Sequence, residues 1–193
     1  MTISQTRSVR SAMTKLISVV EAVGGDDVLA AENDIVVAMQ DLMSIPGLDT
    51  VSAHSTNVLK DPAKPTTGLL YYDCEYRLVR GQMPAGFQQK PHNHGSWNIL
   101  AVYKGAMHYR SYRRLDDRSH PYVADLEVAE DWVMNEGDVT VLPGPPNDIH
   151  ATAGLAPTTV SLLIARQEFM SMREQYLPEL KSYYVVDAVT AAN

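Results

Sequence analysis

The chain has 193 residues, with 16 Lys and Arg against 23 Asp and Glu, so its formal net charge is −7. That length predicts one domain with additional segments, or at most two small domains. The acidic balance argues against a nucleic-acid binder, which needs a basic face to neutralise phosphates. The single cysteine, Cys74, excludes a disulfide framework and a four-cysteine zinc site. No stretch approaches about 18 apolar residues, so we expect no membrane span and a cytoplasmic protein.

The first 45 residues carry two apolar patterns with the period of a helix. The first runs from Val9 to Val23, and Gly24-Gly25 ends it. The second begins at Asp26 or Asp27 and ends before Pro46. Both patterns are amphipathic, and an amphipathic helix needs an apolar surface to cover. We therefore expect residues 1–60 to form a helical extension that packs on the rest of the protein.

From about Gly68 the pattern changes to short strands that are separated by glycine and proline. The predicted strands are 69–79, 99–103, 107–113, 139–142 and 158–164. This spacing of strands and turns is typical of an all-β sandwich or barrel. We expect residues 61–193 to form that barrel, with its strands between about 68 and 166. A short helix is predicted from Gln167 to Leu177, before Pro178.

The pair His92 and His94 is the most informative pattern among the six histidines. On a strand, residues i and i+2 point to the same face, so the two imidazoles would lie side by side. That is about the spacing needed to share one metal ion. A His-x-His pair alone is a weak signal. Here, however, glycines flank it at regular distances, and His150 follows a turn rich in proline and glycine.

The order of these residues resembles the two sequence motifs of the cupin superfamily. The first motif runs from Gly86 through His92 and His94 to Gly105, with Asn98 where cupins carry a glutamate ligand. The second is represented by Gly137, Pro143 and His150, with two extra residues before the histidine. The resemblance implies a mainly β fold, the double-stranded β-helix or jelly-roll-like barrel of the cupins.

Within that superfamily, the segment PHNHGSWNILAVYKG resembles the thiol dioxygenases, which include cysteine dioxygenase and 3-mercaptopropionate dioxygenase. These enzymes have a helical N-terminal extension and a three-histidine metal site without a carboxylate. The resemblance implies that His92, His94 and His150 bind a single Fe(II), with Ni, Zn, Mn or Co as alternatives in the purified protein. The amide oxygen of Asn98 is a poor metal ligand, so we expect it near the metal without coordinating it. No catalytic residue beyond these is predicted.

Two features of the thiol dioxygenases are missing from the chain. Their Ser-x-His-x-Tyr triad corresponds to Ser161, Leu163 and Ala165, so only the serine is kept. The arginine with which cysteine dioxygenase binds its substrate carboxylate corresponds to Thr56, in the weakly matching segment 54–58. The carboxylate of cysteine would then lack a matching cation, so we expect a substrate other than cysteine.

Further residues are candidates for the substrate pocket. His108, Arg110 and Tyr112 share one face of a predicted strand, while Met107 and Tyr109 share the other face. The pattern leaves open which face points into the barrel. If the polar face does, Arg110 is the first candidate to bind an anionic substrate; a solvated outer face is the alternative. The remaining candidates are Met83, Trp97, Asn98 and Ser161.

Three other residues are expected to have no part in the site. His120 precedes Pro121 in a loop and is expected to be exposed. His54 is interpreted as a surface or capping histidine. Cys74 is interpreted as a small buried apolar residue.

Together these features predict a mononuclear non-haem Fe(II) oxygenase that dioxygenates a small organic substrate, with a thiol as one candidate. Two alternatives remain open: a β-diketone-cleaving or ring-cleaving dioxygenase with the same metal site, and a non-catalytic cupin that binds a metal or ligand. The expected partners are the small-molecule substrate and O2, with neither nucleic acid nor membrane, and a homodimer is left open.

Overall fold

The computed structural model describes residues 8–25, 27–50, 54–55, 65–166 and 172–187. Its first elements are helix α1 (Val9–Ala22), a 3-10 turn (Val28–Ala31) and helix α2 (Glu32–Met43). Ser8 caps α1, because its hydroxyl oxygen accepts a hydrogen bond from the backbone N–H of Ser11 while the Ser11 hydroxyl accepts one in return. This reciprocal capping explains why the helix begins at the predicted residue.

The rest of the described chain is built from twelve strands. They are β1 (His54–Ser55), β2 (Thr66–Tyr72), β3 (Tyr76–Pro84), β4 (Gln88–His92), β5 (Asn98–Lys104), β6 (Ala106–Arg114), β7 (Leu126–Asn135), β8 (Val139–Leu142), β9 (Ile149–Gly154), β10 (Thr158–Arg166), β11 (Met172–Leu177) and β12 (Ser182–Asp187). They form two antiparallel sheets, ordered β1-β2-β3-β10-β5-β8 and β12-β11-β4-β9-β6-β7. The two facing sheets confirm the predicted mainly β fold class.

The two helices cover the outer face of the first sheet. Their buried residues include Met13 and Leu16 of α1 and Ile35 and Met39 of α2, all with no exposed surface. These side chains pack in one apolar cluster with outward-pointing residues of the sheet, namely Tyr76, Leu78, Ile99, Ala101, Val141, Leu162 and Ile164. Burying one large aliphatic side chain contributes roughly 1.5–3 kcal/mol, so the cluster fixes the helices to the sheet. Within the described chain, neither helix is long and apolar enough to cross a membrane.

The glycines of the two motifs occupy turns with left-handed backbone. Gly86, Gly105 and Gly137 have φ angles of 79°, 82° and 95°. Residues with a Cβ rarely adopt such angles. A Cβ on Gly105 would also lie 2.7 Å from the carbonyl oxygen of Thr158. The regular spacing of these glycines is therefore explained by the turns between strands.

The predicted C-terminal helix is wrong over residues 172–177. This segment is strand β11, which pairs with β12 along its whole length and with β4 at its centre. The cross-strand pairing with β4 supplies backbone partners that the local sequence pattern does not reveal. The rest of that predicted helix, 167–171, lies outside the described residues.

The predicted strand 69–79 is interrupted by a turn. The carboxylate of Asp73 accepts hydrogen bonds from the backbone N–H groups of Glu75 and Tyr76, at 3.2 and 2.7 Å. A side chain that binds the backbone two and three residues ahead is typical of such turns. Cys74 lies at the tip with a φ of 74°, and it is exposed, so the prediction of a buried cysteine is wrong.

Candidate metal centre

Three histidines meet inside the barrel. His92 ends β4, His94 follows two residues later, and His150 lies on β9 directly opposite His92. Each offers one ring nitrogen, and these atoms all lie within 4.8 Å of one another. The Nε2 atoms of His94 and His150 are 3.0 Å apart. Each of the three residues is only 3% exposed. Three imidazoles at this spacing could hold one metal ion, and the sequence spacing selected the same three residues.

Burial keeps the three imidazoles neutral. It lowers the pKa of His92 to about 4, and it places the pKa values of His94 and His150 well below the ordinary value. The positive charge of Arg173 acts in the same direction on all three pKa values. A histidine binds a metal in its neutral form, so the three rings are in the form that ligation requires at neutral pH.

A backbone hydrogen bond orients the first of these rings. The Nδ1 atom of His92 lies 2.9 Å from the carbonyl oxygen of Lys90. A carbonyl oxygen only accepts, so Nδ1 carries the proton and Nε2 carries the lone pair. Metal-binding histidines commonly show this arrangement, in which a second partner fixes the tautomer.

Asp148 holds the turn that carries His94. Its Oδ2 atom accepts hydrogen bonds from the backbone N–H groups of His94, at 3.0 Å, and Gly95, at 2.6 Å. The carboxylate is 1% exposed, and this burial raises its pKa although the two N–H groups oppose the shift. Sequence analysis missed Asp148, because an aspartate in a turn rich in proline and glycine is typical of the turn itself.

Asn98 supports the interpretation of this region as a binding site. It has no exposed surface, and its Nδ2 donates to the carbonyl oxygen of Ser96 at 3.0 Å. Its Oδ1 atom has no hydrogen-bond partner among the described residues. A buried polar atom without a partner is costly, and in native proteins it commonly faces water or a ligand. That Asn98 lies near the metal without binding it stays a prediction.

Two more pocket candidates lie inside the barrel. Met83 packs in the interior apolar cluster, and Leu163 lies against the same cluster. Ser161 also points inwards, because Leu162 and Ile164 of the same strand pack under the helices on the outer face. Because residues alternate along β10, Ser161, Leu163 and Ala165 all lie on the interior face.

His108 and Arg110 lie on the outer face of the second sheet. Both side chains contact the carboxylate of Asp131, which is the partner of Arg110 across the sheet, with Arg110 Nε at 2.9 Å. The inward face of β6 is occupied instead by the fully buried Met107 and Tyr109. Of the two alternatives that the sequence left open, the solvated outer face therefore describes His108 and Arg110.

Tyr112 and Trp97 are also directed away from the interior. Tyr112 packs in a cluster under the C-terminal strands, with Tyr176 and Ile149 among its members. Trp97 packs under the helices, and its indole N–H donates to the carbonyl oxygen of Gly25 at 2.9 Å. His120 is exposed, as expected. The side chain of His54, and Thr56 as a whole, lie outside the described residues.

Sequence analysis did not select three further residues that lie beside the three histidines. Tyr109 presents its ring edge-on to His150, with the centroids 5.8 Å apart, and burial raises its pKa. Ser111 lies directly opposite His150 in the pairing of β6 with β9. Arg173 on β11 is the third, and its positive charge lowers the pKa of each histidine. The alternation along β6 could have indicated Tyr109 and Ser111 once the inward face was known. Arg173 lay in a segment predicted as helix.

No protein-family model matches the chain, and no curated protein matches it. The chain is similar to many solved structures. KdgF from Halomonas sp. is 18% identical, covers 56% of this chain and 84% of its own, and has a TM-score of 0.43. The polyketide cyclase RemF from Streptomyces resistomycificus is 17% identical, with coverages of 65% and 82% and a TM-score of 0.46. A cupin superfamily protein from Desulfitobacterium hafniense is 13% identical, with coverages of 54% and 79% and a TM-score of 0.40.

The site is defined by this chain's own geometry, namely three neutral, buried imidazoles that converge on one point between two sheets. The chain therefore has a mainly β fold of two antiparallel sheets, with a three-histidine cluster that could hold one metal ion.

Proposed function

We propose that the protein is a mononuclear non-haem Fe(II) oxygenase of the three-histidine type, which inserts O2 into a small organic substrate. The observation that carries the proposal is the cluster of His92, His94 and His150, whose ligand atoms lie within 4.8 Å of one another. Among the described residues, no aspartate, glutamate or cysteine joins this cluster. A site with three neutral ligands leaves the charge of a divalent ion uncompensated, which favours an anionic substrate group as a further ligand.

The residues of the chain have separate parts in this activity. His92, His94 and His150 would hold Fe(II), which when bound supplies open coordination positions for the substrate and O2. The carbonyl of Lys90 fixes the tautomer of His92, and the carboxylate of Asp148 fixes the backbone of His94. A ligand set held in this way keeps its geometry while substrate binds.

The interior surface beside the histidines restricts the substrate. Leu163 and Ala165 take the inward positions where thiol dioxygenases carry histidine and tyrosine, so the hydrogen-bonding relay of those enzymes is absent from this strand. Ser161 alone keeps a hydroxyl there. This favours a substrate that needs no such relay, and we propose a small organic compound other than cysteine, a thiol among the candidates.

A β-diketone is the second candidate substrate class. The apolar side chains of Leu163 and Ala165 on the interior face favour it, because they suit a less polar molecule than cysteine. Such a compound would bind the same metal through its enolate oxygens. The two enzyme candidates share the ligands and differ only in which surface contacts the organic part of the substrate.

O2 consumption by the iron-loaded protein tests the proposal. The purified protein is stripped of metal, loaded anaerobically with Fe(II), and mixed with cysteine, 3-mercaptopropionate or acetylacetone while O2 is recorded with an electrode. We expect consumption coupled to product with one of the last two compounds and little with cysteine. Stoichiometric iron binding without O2 consumption by any compound would favour a non-catalytic metal-binding protein. Fast coupled turnover of cysteine would show that the relay is dispensable.

A further inference from the structure

A row of polar side chains crosses the interior face of the second sheet and includes two of the three histidines. His150 lies directly opposite His92 on one side and directly opposite Ser111 on the other. Ser111 in turn lies opposite Glu130 of the edge strand β7. Residues that pair directly across antiparallel strands have their side chains on the same face. The row therefore leads from the candidate metal centre to the edge of the sheet.

The last two residues of this row join the interior to solvent. Ser111 is 5% exposed and faces inwards, because it follows the inward-pointing Tyr109 by two residues. Its hydroxyl donates a hydrogen bond to Oε2 of Glu130 at 3.3 Å, and Glu130 is exposed. Arg113 and Glu127 come next along the same two strands and form an ion pair with each other at 2.9 Å. One hydrogen bond thus connects a buried hydroxyl beside His150 to a carboxylate in water.

The spacing of the strands decides how Glu130 acts on the site. Neighbouring strands lie about 4.8 Å apart, so the backbones of Glu130 and His150, two strands apart, are separated by roughly 10 Å. Glu130 accordingly does not belong to the cluster of possible metal ligands, which contains the three histidines. Ser111 lies on the strand between them. The carboxylate therefore acts on the interior through the serine hydroxyl.

The direction of the hydrogen bond suits proton transfer outwards. A hydroxyl has one proton and two lone pairs. Because Ser111 directs its proton to Glu130, its lone pairs are left to accept from a donor inside the barrel. Tyr109 is not an alternative acceptor, since burial and then the charge of Glu130 raise the pKa of its phenol and keep it protonated.

The proposed oxygenase needs such a path for a proton. A thiol is mostly protonated at neutral pH, whereas it binds a metal as the thiolate. The ligand nitrogens of the three histidines are occupied when a metal is bound. Asp148 is closed to solvent and accepts hydrogen bonds from two backbone N–H groups. The proton of the substrate therefore needs another acceptor that leads to water.

We propose that Ser111 and Glu130 carry to solvent the proton that a substrate loses when it binds the metal, an inference that rests on the oxygenase proposed above. The S–H or O–H bond of the substrate breaks, and its electron pair stays on the atom that becomes the ligand. The proton passes to Oγ of Ser111 while the proton of that hydroxyl moves to the carboxylate of Glu130. Glu130 then releases it to water. Ser111 touches the substrate, and Glu130 acts through Ser111.

Two probes that differ in one proton test this inference. 2-Mercaptoethanol must lose a proton to bind cobalt(II), whereas azide is already an anion at neutral pH. The cobalt(II)-loaded protein is mixed with each probe in a stopped-flow spectrometer, and the cobalt absorption bands give the association and dissociation rates. In E130Q and S111A we expect both rates for the thiol to fall about 100-fold, with Kd and the azide rates unchanged. A change in the charge or shape of the site would act on both probes alike.

D131N is the matched control for E130Q. Asp131 is the next residue along β7, lies on the outer face and pairs with Arg110, so its loss should leave the rates for both probes unchanged. Thiol rates that stay at the wild-type value in E130Q and S111A, or that fall together with the azide rates, contradict the assignment. A protein that binds cobalt but no thiol also overturns it.

The wild-type protein gives a second measurement if the two variants fail to fold. Association of the thiol should be slower in D2O than in H2O, because a proton moves in that step, while association of azide should be equally fast in both. Equal thiol rates in the two solvents overturn the inference.

The readout separates this inference from the proposed oxygenase. Slow thiol binding in both variants, without O2 consumption by the iron-loaded wild-type protein, keeps the proton path and rejects the oxygenase. O2 consumption by a protein whose thiol binding is unaffected in the variants keeps the oxygenase and rejects the proton path.

Discussion

The two ends of the barrel interior differ sharply in chemistry. One end is filled by a buried cluster that includes Met83, Leu100, Val102, Met107 and Met134. The other end holds the three histidines, whose pKa values the charge of Arg173 lowers. Single strands combine both kinds of residue: the buried polar Asn98 and the apolar Val102 lie on the same face of β5. The position of a residue along its strand thus decides whether its side chain packs in the apolar cluster or lies at the candidate metal site.

This difference separates stability from function. Apolar side chains without polar atoms gain from close packing, so the apolar end holds the two sheets together. Buried polar groups cost free energy unless they have partners, and the Oδ1 of Asn98 lacks one among the described residues. We therefore expect substitutions at the apolar end to change the free energy of unfolding, and substitutions at the polar end to change metal or substrate binding.

The largest effect is expected on iron binding, from a substitution at the polar end. His150→Ala removes one of three ligands, and stoichiometric binding of iron should be lost. His120→Ala is the control, because His120 is exposed in a loop, and it should bind one iron per chain. Metal analysis of both proteins after identical loading checks this, and equal iron content in the two would contradict the assignment of ligands.

The metal-free protein should become less stable in acid because of the same residues. The pKa of His92 is about 4 in the folded protein against 6.5 for the free group. Between these values the unfolded chain binds more protons, so the free energy of unfolding falls as the pH falls. His92 alone gives about 1.4 kcal/mol per pH unit, and His94 and His150 act in the same direction.

Urea titrations of the metal-free protein from pH 7 to pH 4 measure this loss. A bound metal should hold the histidines unprotonated to lower pH, and the loss should begin later. Stability that stays constant across this range, with or without metal, would show that the three rings are not buried in the neutral form.

At the apolar end, Leu100→Ala should destabilise the protein without affecting the metal. Leu100 is 5% exposed, and truncating such a side chain costs about 2–5 kcal/mol. Leu100→Met, which nearly conserves volume, should cost less than about 1.5 kcal/mol. Denaturant unfolding measures both, with metal content as the second readout. Loss of iron at full stability would mean that the two ends of the interior are not separable.

The smallest change in metal affinity is expected at Asp148, which is not a metal ligand but holds the backbone of the ligand His94. Asp148→Ala removes the acceptor for two backbone N–H groups, and the affinity for metal should fall about 10–100-fold. Asp148→Asn keeps an acceptor oxygen and should lose less. Competition with a chromogenic chelator measures both affinities. Wild-type affinity in the alanine variant would show that the turn needs no such support.

The metal cluster was predictable from the sequence because its chemistry follows local spacing. His92 and His94 are two residues apart at a strand end, and His150 follows a turn that proline and glycine mark clearly. The helices and the central strands were predictable for a similar reason, since buried segments such as β5 and β10 are continuous apolar runs.

The other strands and the inward face of β6 could not be predicted, because they depend on contacts between segments that are distant in the sequence. β7 is an edge strand whose residues are mostly exposed, so it lacks the apolar pattern of a buried strand. Residues 172–177 form strand β11 because they pair with β4 and β12. Only this pairing brings Arg173 near the three histidines. The face of β6 was ambiguous because both of its faces carry polar groups. Only the packing of Met107 and Tyr109 against the interior decides it.

X-ray absorption spectroscopy of the iron-loaded wild-type protein tests whether His92, His94 and His150 bind the iron. We expect one iron per chain with three imidazole nitrogens at about 2.0–2.2 Å, and further scattering from oxygen atoms only. A spectrum with fewer than three imidazoles, with protein sulfur at the iron, or with iron bound below one equivalent would contradict it.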